Sequence, residues 1–209
     1  GKEEVFPGGM LENNLLPFKA AIKAGTSSIM PYYSIPVGTK YEKVAYPYNK
    51  AILRELLRMQ FGFKGIINSD TGPINMMPWG VEDLSIEDRY AKALEAGVNI
   101  FSGNADPTLL LKSTKEGKAQ IRYIDESVIL LLEEKFDLGL FENPYVDDKK
   151  ANEIVVNASF QARADLAQRK SIVLLRNEDK SLPLNRGIKV YFETYQRLYG
   201  RPGNIEPQI

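Results

Sequence analysis

Short apolar runs alternate with amphipathic helical stretches along most of this 209-residue chain, and that alternation narrows the fold more than any other feature. The runs TSSIMPYYS, GIINSD and VNIFSG are too short for helices and lack a regular polar face, as strands buried on both sides do. Between the first two lies YNKAILRELLRMQFGF. There Ile52, Leu53, Leu56, Leu57 and Phe61 share one helical face, and Arg54, Glu55 and Arg58 fall elsewhere. Between the second and third lies LSIEDRYAKALEAG, with Ser85 as a candidate N-cap and Gly97 just past its end. LLPFKAAIKAG precedes the first run. Its Leu15, Leu16, Phe18, Ala21 and Ile22 recur at helical spacing, and Gly25 follows where a C-cap glycine would stand. After the third run, IDESVILLLEEKFDLGLF predicts a helix capped by Asp125, with Val128, Leu131, Leu132 and Phe136 on its face.

The remaining stretches complete an order α-β-α-β-α-β-α-α-α-β. VFPGGMLENN, the segment with Pro36 and Gly38, and TGPINMMPWGVEDL read as loops. NADPTLLLKSTKEGK reads as a loop and then a helix. ANEIVVNASFQARADLAQRK reads as one further helix, SIVLLRNE as a strand, and KVYFETY as a final strand. The expected class is α/β, a parallel sheet with helices packed outside it. Three such strands cannot close a barrel of about eight. The sheet is then either small and open or part of something larger. A domain boundary is expected at 142–152, where ENPYVDDKKAN collects Pro, Asp, Asn and Lys.

Composition removes whole classes of chemistry. The chain has no His and no Cys, so triads built on His, cysteine nucleophiles, disulfides and His- or Cys-ligated metals are excluded within it. Acid–base work falls to Asp, Glu, Lys and Tyr. Lys+Arg and Asp+Glu are both 27, so no basic excess favours nucleic acid or anionic lipid. The longest apolar runs, such as VILLL, fall far short of the roughly 20 residues that span a bilayer. No nucleic-acid or membrane partner is expected, and no cofactor or metal. GKEEVFPGGM has no apolar core of a signal peptide and begins with Gly1, so a trimmed chain or a piece of a longer one is expected.

In parallel α/β folds, functional side chains gather at the C-terminal ends of strands. Tyr32, Tyr33 and Ser34 stand at the end of the first run, Asn68, Ser69 and Asp70 at the second, and Ser102, Gly103 and Asn104 at the third. Asp70 follows a buried Ile-Ile pair, which suits a partly desolvated carboxylate able to attack an electrophilic carbon or bind a metal. Local sequence alone equally reads it as a turn-forming Asx residue or a helix cap. Tyr32 and Tyr33 read as half-buried packing residues or as ligands. Trp79, the only tryptophan, reads as a sugar-stacking platform, a lid residue or a core plug. Glu82, Asp83, Glu87 and Asp88 read as solvated loop and first-turn charges. A metal-dependent reading using Asp70 with Asn104 or Asp106 lacks clustered oxygen ligands.

Five segments, in order, resemble glycoside hydrolase family 3, the β-glucosidase/β-xylosidase group: PFKAAIKAGTSSIMPYYS, LLRMQFGFKGIINSD, AKALEAGVNIFSG, LEEKFDLGLFENPYVD and LAQRKSIVLLRNEDKSLPL. They run from about residue 11 to 184. The resemblance implies that Asp70, the strand-ending Asp after G-[FI]-[IV]-x-S, is the nucleophile of a retaining mechanism. It implies that Tyr33, three residues after Met30, lies against the sugar. Many members have Trp directly after the nucleophile. Thr71 stands in that place here, and Trp79 is a candidate replacement for the stacking contact. The family's earlier barrel strands contribute an Asp, an Arg and a Lys-His pair that have no counterpart in this chain. VFPGGMLENN resembles the loop that follows the Lys-His segment.

The implied architecture is the C-terminal part of a (β/α)8 TIM-like barrel over residues 1–145, a linker and helix over 146–170, and the beginning of an α/β sandwich domain over 171–209. The implied activity is hydrolysis of terminal non-reducing β-D-glucosyl residues, with the acid/base Glu outside this chain. The substrate-binding set is Tyr33, Trp79 and Thr71. The alternative is a non-catalytic carbohydrate-binding or interaction module on the same scaffold. Expected partners are a small carbohydrate and the remaining part of the same enzyme, and three parallel strands with exposed edges also invite a homo-oligomer. A periplasmic or secreted location is expected ahead of a cytoplasmic one.

Overall fold

A computed structural model describes residues 1–155, 157–178, 180, 182–191 and 193. The chain divides into two compact units, Gly1–Tyr145 and Val146–Ile209.

In the first unit, β2 (Ser28–Ile29) pairs in parallel with β4 (Ile66–Ile67), Ser28 opposite Ile66 and Ile29 opposite Ile67. The third apolar run lies parallel on the other side of β4. It is reduced to a single bridge between Asn68 and Ile100, although Ser69 N–H still donates to the Ile100 carbonyl at 2.9 Å. The three runs therefore lie side by side with β4 in the centre. A second parallel pair was not legible in the sequence: β1 (Glu3–Glu4) on β3 (Ile35–Pro36), the latter inside the segment read as a loop. Pro36 lacks an N–H and so suits the margin of so short a pairing.

Helices connect the parallel strands, as an α/β fold requires. Ala51–Gln60 links β2 to β4 and is wound as a π-helix, closing with Phe61 N–H on the Leu56 carbonyl at 3.0 Å. It buries Leu53, Leu56 and Leu57, the face its spacing predicts. Helix α2 (Ile86–Ala96) links β4 to Ile100 and buries Tyr90, Ala93, Leu94 and Ala96. The Ser85 side chain accepts from Asp88 N–H, and Gly97 takes φ 112° past its end, so both predicted caps are present. These elements close around Tyr48, Phe63, Ile67, Ile74 and Val98 to form the core. Each fully buried Leu or Ile there contributes about 1.5–3 kcal/mol.

Four expectations need correction. Helix α1 (Leu11–Lys23) begins inside the segment read as a loop, and none of its residues is fully buried. After α3 (Thr108–Lys115), helix α4 (Ile121–Asp137) is preceded by an extended Gln120, so Asp125 lies within the helix and not at its cap. Its inward contact is the small Ser127, whereas Val128, Leu132 and Phe136 are exposed because no described segment of the unit covers them. In the second unit, the single helix expected over 151–170 is two, α5 (Asp148–Val155) and α6 (Ala158–Ser171). Asn157 breaks them apart, its side chain accepting from Phe160 N–H at 3.0 Å as an N-cap. The run SIVLLRNE carries no strand among the described residues, and Leu175 is 92% exposed. An apolar run becomes a strand only beside another strand that takes its backbone hydrogen bonds. Most of KVYFETY falls outside the described residues. Among the described residues, no helix is long and apolar enough to cross a membrane.

Candidate active site

The parallel alignment of β2, β4 and Ile100 brings three strand exits together. Asp70 lies three residues beyond Ile67, the end of β4. The neighbouring Ser69 side chain is buried, donates to the Asp70 carbonyl at 2.9 Å, and accepts from Ser102 N–H at 3.0 Å. Ser102 in turn donates its hydroxyl to Asn68 Oδ1 at 2.8 Å, and Gly72 N–H donates to the Ser102 carbonyl at 2.8 Å. The backbone that carries Asp70 is thus tied on one side to the exit of the third run. The fit is close: a Cβ on Gly103 would stand 2.7 Å from Thr71 Cγ2, and Gly103 also has φ 75°.

Asp70 Oδ1 accepts from Thr71 N–H at 2.6 Å, a local contact one residue on, where an Asx turn reaches two residues on. What exceeds a turn is Tyr33. It is buried, at 7% exposure, and its hydroxyl donates to the Thr71 carbonyl. Burial, followed by the adjacent Asp70 carboxylate, pushes its pKa up to about 12. The phenol therefore keeps its single O–H, already given to the Thr71 carbonyl, across the physiological range. Trp79 meets Tyr33 edge-to-face, with ring centroids 6.0 Å apart and an interplanar angle of 66°. Tyr32 lies 5.6 Å from Tyr33 on its other side and is half exposed.

The four residues singled out in the sequence, Asp70, Thr71, Tyr33 and Trp79, are therefore neighbours around the Tyr33 ring. Of the other acidic candidates, Glu82, Glu87, Asp88 and Asp106 are engaged elsewhere. Glu87 pairs with Lys112, and Asp88 with Lys118 and Ser85. Glu82 accepts from Lys2 and from Gly80 N–H. Asp106 Oδ1 accepts from Thr108 N–H and Oγ1 at the start of α3, and Asn104 Oδ1 is buried with no partner among the described residues. No group of three or more His, Cys, Asp or Glu able to hold a metal occurs among the described residues. An apolar hollow of about 300 Å³ lies between α1 and the π-helix. Asp70, Thr71 and Trp79 do not line it, and its few polar groups, chiefly the Glu4–Tyr46 pair, make it a packing gap rather than a reaction site.

Two polar residues escaped sequence reasoning. Asn99 Oδ1 accepts from Ile67 N–H at 2.9 Å and from Arg58 at 3.0 Å, and its Nδ2 donates to Ser127 Oγ at 2.9 Å. Arg89 donates to three carbonyls of the loop after Asp70. A polar residue opening a buried run, as Asn99 opens NIF, was the available signal for the first; the second had none.

Comparison with known proteins bears on the family of the chain. Residues 7–133 match the model of the glycosyl hydrolase family 3 N-terminal domain. A probable β-glucosidase C of Aspergillus flavus is 45% identical over 93% of this chain and 33% of its own length. A periplasmic β-glucosidase/β-xylosidase of Dickeya chrysanthemi is 39% identical over all of this chain and 35% of its own. The crystal structure of a β-glucosidase from Listeria innocua in complex with glucose superposes with a TM-score of 0.64 at 28% identity, over 87% of this chain and 25% of that one. The chain spans about a third of the length of the curated relatives it matches. With the family model covering more than half of its residues, this chain belongs to glycosyl hydrolase family 3, its residues 7–133 matching that family's N-terminal domain.

Proposed function

We propose that the protein hydrolyses terminal non-reducing β-D-glucosyl residues with retention of configuration, and that Asp70 is its nucleophile. The observation that carries this reading is the Asp70 carboxylate at the exit of a central parallel strand, set against the neutral phenol of Tyr33. In a retaining mechanism one carboxylate attacks the anomeric carbon and forms a glycosyl-enzyme. A second carboxyl group, about 5–5.5 Å away, protonates the leaving oxygen and then activates water. Asp70 fills the first role. The acid/base is a Glu outside this chain. Tyr33, Thr71 and Trp79 line the position of the sugar, with Trp79 offering the aromatic face that Thr71 cannot.

The same reading makes residues 1–145 the C-terminal part of a (β/α)8 barrel, 146–170 a linker and helix, and 171–209 the beginning of an α/β sandwich domain. The remaining part of the enzyme then covers the exposed apolar face of α4. A periplasmic or secreted location follows the relatives described as periplasmic. Incubation of the full-length protein with a 2-deoxy-2-fluoro β-glucoside bearing a good leaving group tests the assignment. Labelling at Asp70, read by peptide mass spectrometry, is the expected result. Labelling of another carboxylate overturns the nucleophile. Sugar binding without any label supports the alternative, a non-catalytic carbohydrate module.

A further inference from the structure

The loop from Thr71 to Leu84 has no regular secondary structure, yet it is anchored. Ile74 is fully buried and Val81 nearly so, and their carbonyls need donors. One side chain supplies them. Arg89, in the first turns of α2, donates from Nη1 to the Ile74 carbonyl at 2.9 Å. It donates from Nε to that of Val81 at 3.2 Å and from Nη2 to that of Glu82 at 2.7 Å. Ile74 leads into the excursion 75–80 and Val81 leads out of it. A single guanidinium therefore clasps the two ends of the segment that carries Trp79. Trp79 is held from the other side where its carbonyl accepts from Ala45 N–H at 2.9 Å. Its ring rests on Tyr33.

We propose that Arg89 is a positioning residue of the site, a clasp that sets Trp79 against Tyr33 and so shapes the wall a sugar ring meets. The sugar part of this inference rests on the function proposed above; the clasp itself does not. The task is specific to arginine. Its planar fork offers donors in several directions at once, whereas a lysine ammonium on a flexible stem cannot serve three carbonyls in this fixed arrangement.

Trp79 is the only tryptophan in the 209 residues, so its fluorescence reads the clasp directly. Arg89→Lys and Arg89→Met are compared with the parent chain by emission maximum, acrylamide quenching and far-UV circular dichroism, and in the full-length protein by titration with D-glucono-1,5-lactone. The expected result is a red-shifted emission and about a twofold rise in the quenching constant with the circular dichroism spectrum retained. Lactone affinity is expected to fall about tenfold, the loss that a displaced binding wall gives. Emission and quenching equal to the parent in both variants overturn the proposal. So does loss of the folded spectrum in both, which would make Arg89 a purely structural residue. A full-length parent that fails to bind lactone counts against the proposed function, and the emission then decides Arg89 alone.

Discussion

The phenol of Tyr33 is buried beside the carboxylate of Asp70, and its hydroxyl donates to the carbonyl of Thr71, the residue that follows that carboxylate. One ring thus holds both the backbone and the charge environment of the proposed nucleophile. Such an arrangement restrains the backbone next to the carboxylate.

This relationship predicts a titration. With its pKa raised to about 12, Tyr33 binds its proton more tightly folded than unfolded, where the value is near 10. The associated stability is complete below pH 10 and is lost as pH rises towards 12. Difference absorbance at 295 nm between the parent and Tyr33→Phe isolates this tyrosine. In Asp70→Asn the carboxylate's contribution disappears while burial stays, so the Tyr33 transition moves down but remains above 10. An unmoved transition in Asp70→Asn means the two side chains are not coupled.

Removing the nucleophile is expected to lower turnover of an aryl β-glucoside by about 10³-fold or more in the full-length enzyme, since the covalent route is closed. In Asp70→Ala, azide fits the vacated space and attacks the activated substrate from the same side that the carboxylate used. Azide should restore part of the rate and give the α-glucosyl azide, identifiable by proton NMR. Equal activity of Asp70→Ala and parent removes Asp70 from the mechanism.

Gly65 predicts a stability effect remote from the site. A Cβ there would stand 2.1 Å from the carbonyl oxygen of Ser27, where β4 begins its pairing with β2. The Ser27 backbone on one side and the buried Phe63 ring, 2.9 Å away, leave nothing flexible to yield, so Gly65→Ala must push the strands apart. A loss of at least about 1–3 kcal/mol is expected from overpacking, read as a lower urea midpoint at unchanged m-value.

Much of this was readable in the chain, for definable reasons. Ser85 and Gly97 mark the ends of α2 because capping is a local property of one or two residues. The strand-exit rule brought Asp70 and Tyr33 to one edge before any coordinates, since parallel strands must end on the same side, and Thr71 entered through the family resemblance. Other features depend on what lies opposite. The apolar run Ile172–Leu175 has strand composition but no described partner to pair with. Val128, Leu132 and Phe136 mark an apolar face of α4, yet periodicity does not say whether anything covers it. The π-winding of Ala51–Gln60 was hidden because a Leu-rich face fits either winding over so few turns. Arg89 was invisible because its role is set by the path of a loop, and loop paths follow from packing rather than from pattern.

Asn99 provides the sharpest test of how the central strand is held. Its Oδ1 is shared by two donors, the Ile67 N–H of β4 and the Arg58 guanidinium, whose pKa is lowered by burial. Its Nδ2 reaches Ser127 in α4. Arg58 Nε is buried without a partner among the described residues, so this cation already lacks one of its bonds. Asn99→Leu keeps the volume but removes the shared acceptor, leaving a strand N–H without a partner and a half-buried cation with the Gly65 carbonyl as its remaining acceptor. The expected cost is about 2–4 kcal/mol, larger than a single neutral hydrogen bond because a charged donor is among the losses. Arg58→Met in the Asn99→Leu background removes the stranded charge and should recover part of that loss. Chemical denaturation of the two single variants and the double variant measures it. Additive losses, with no recovery in the double variant, would mean that Asn99 and Arg58 hold the strand independently.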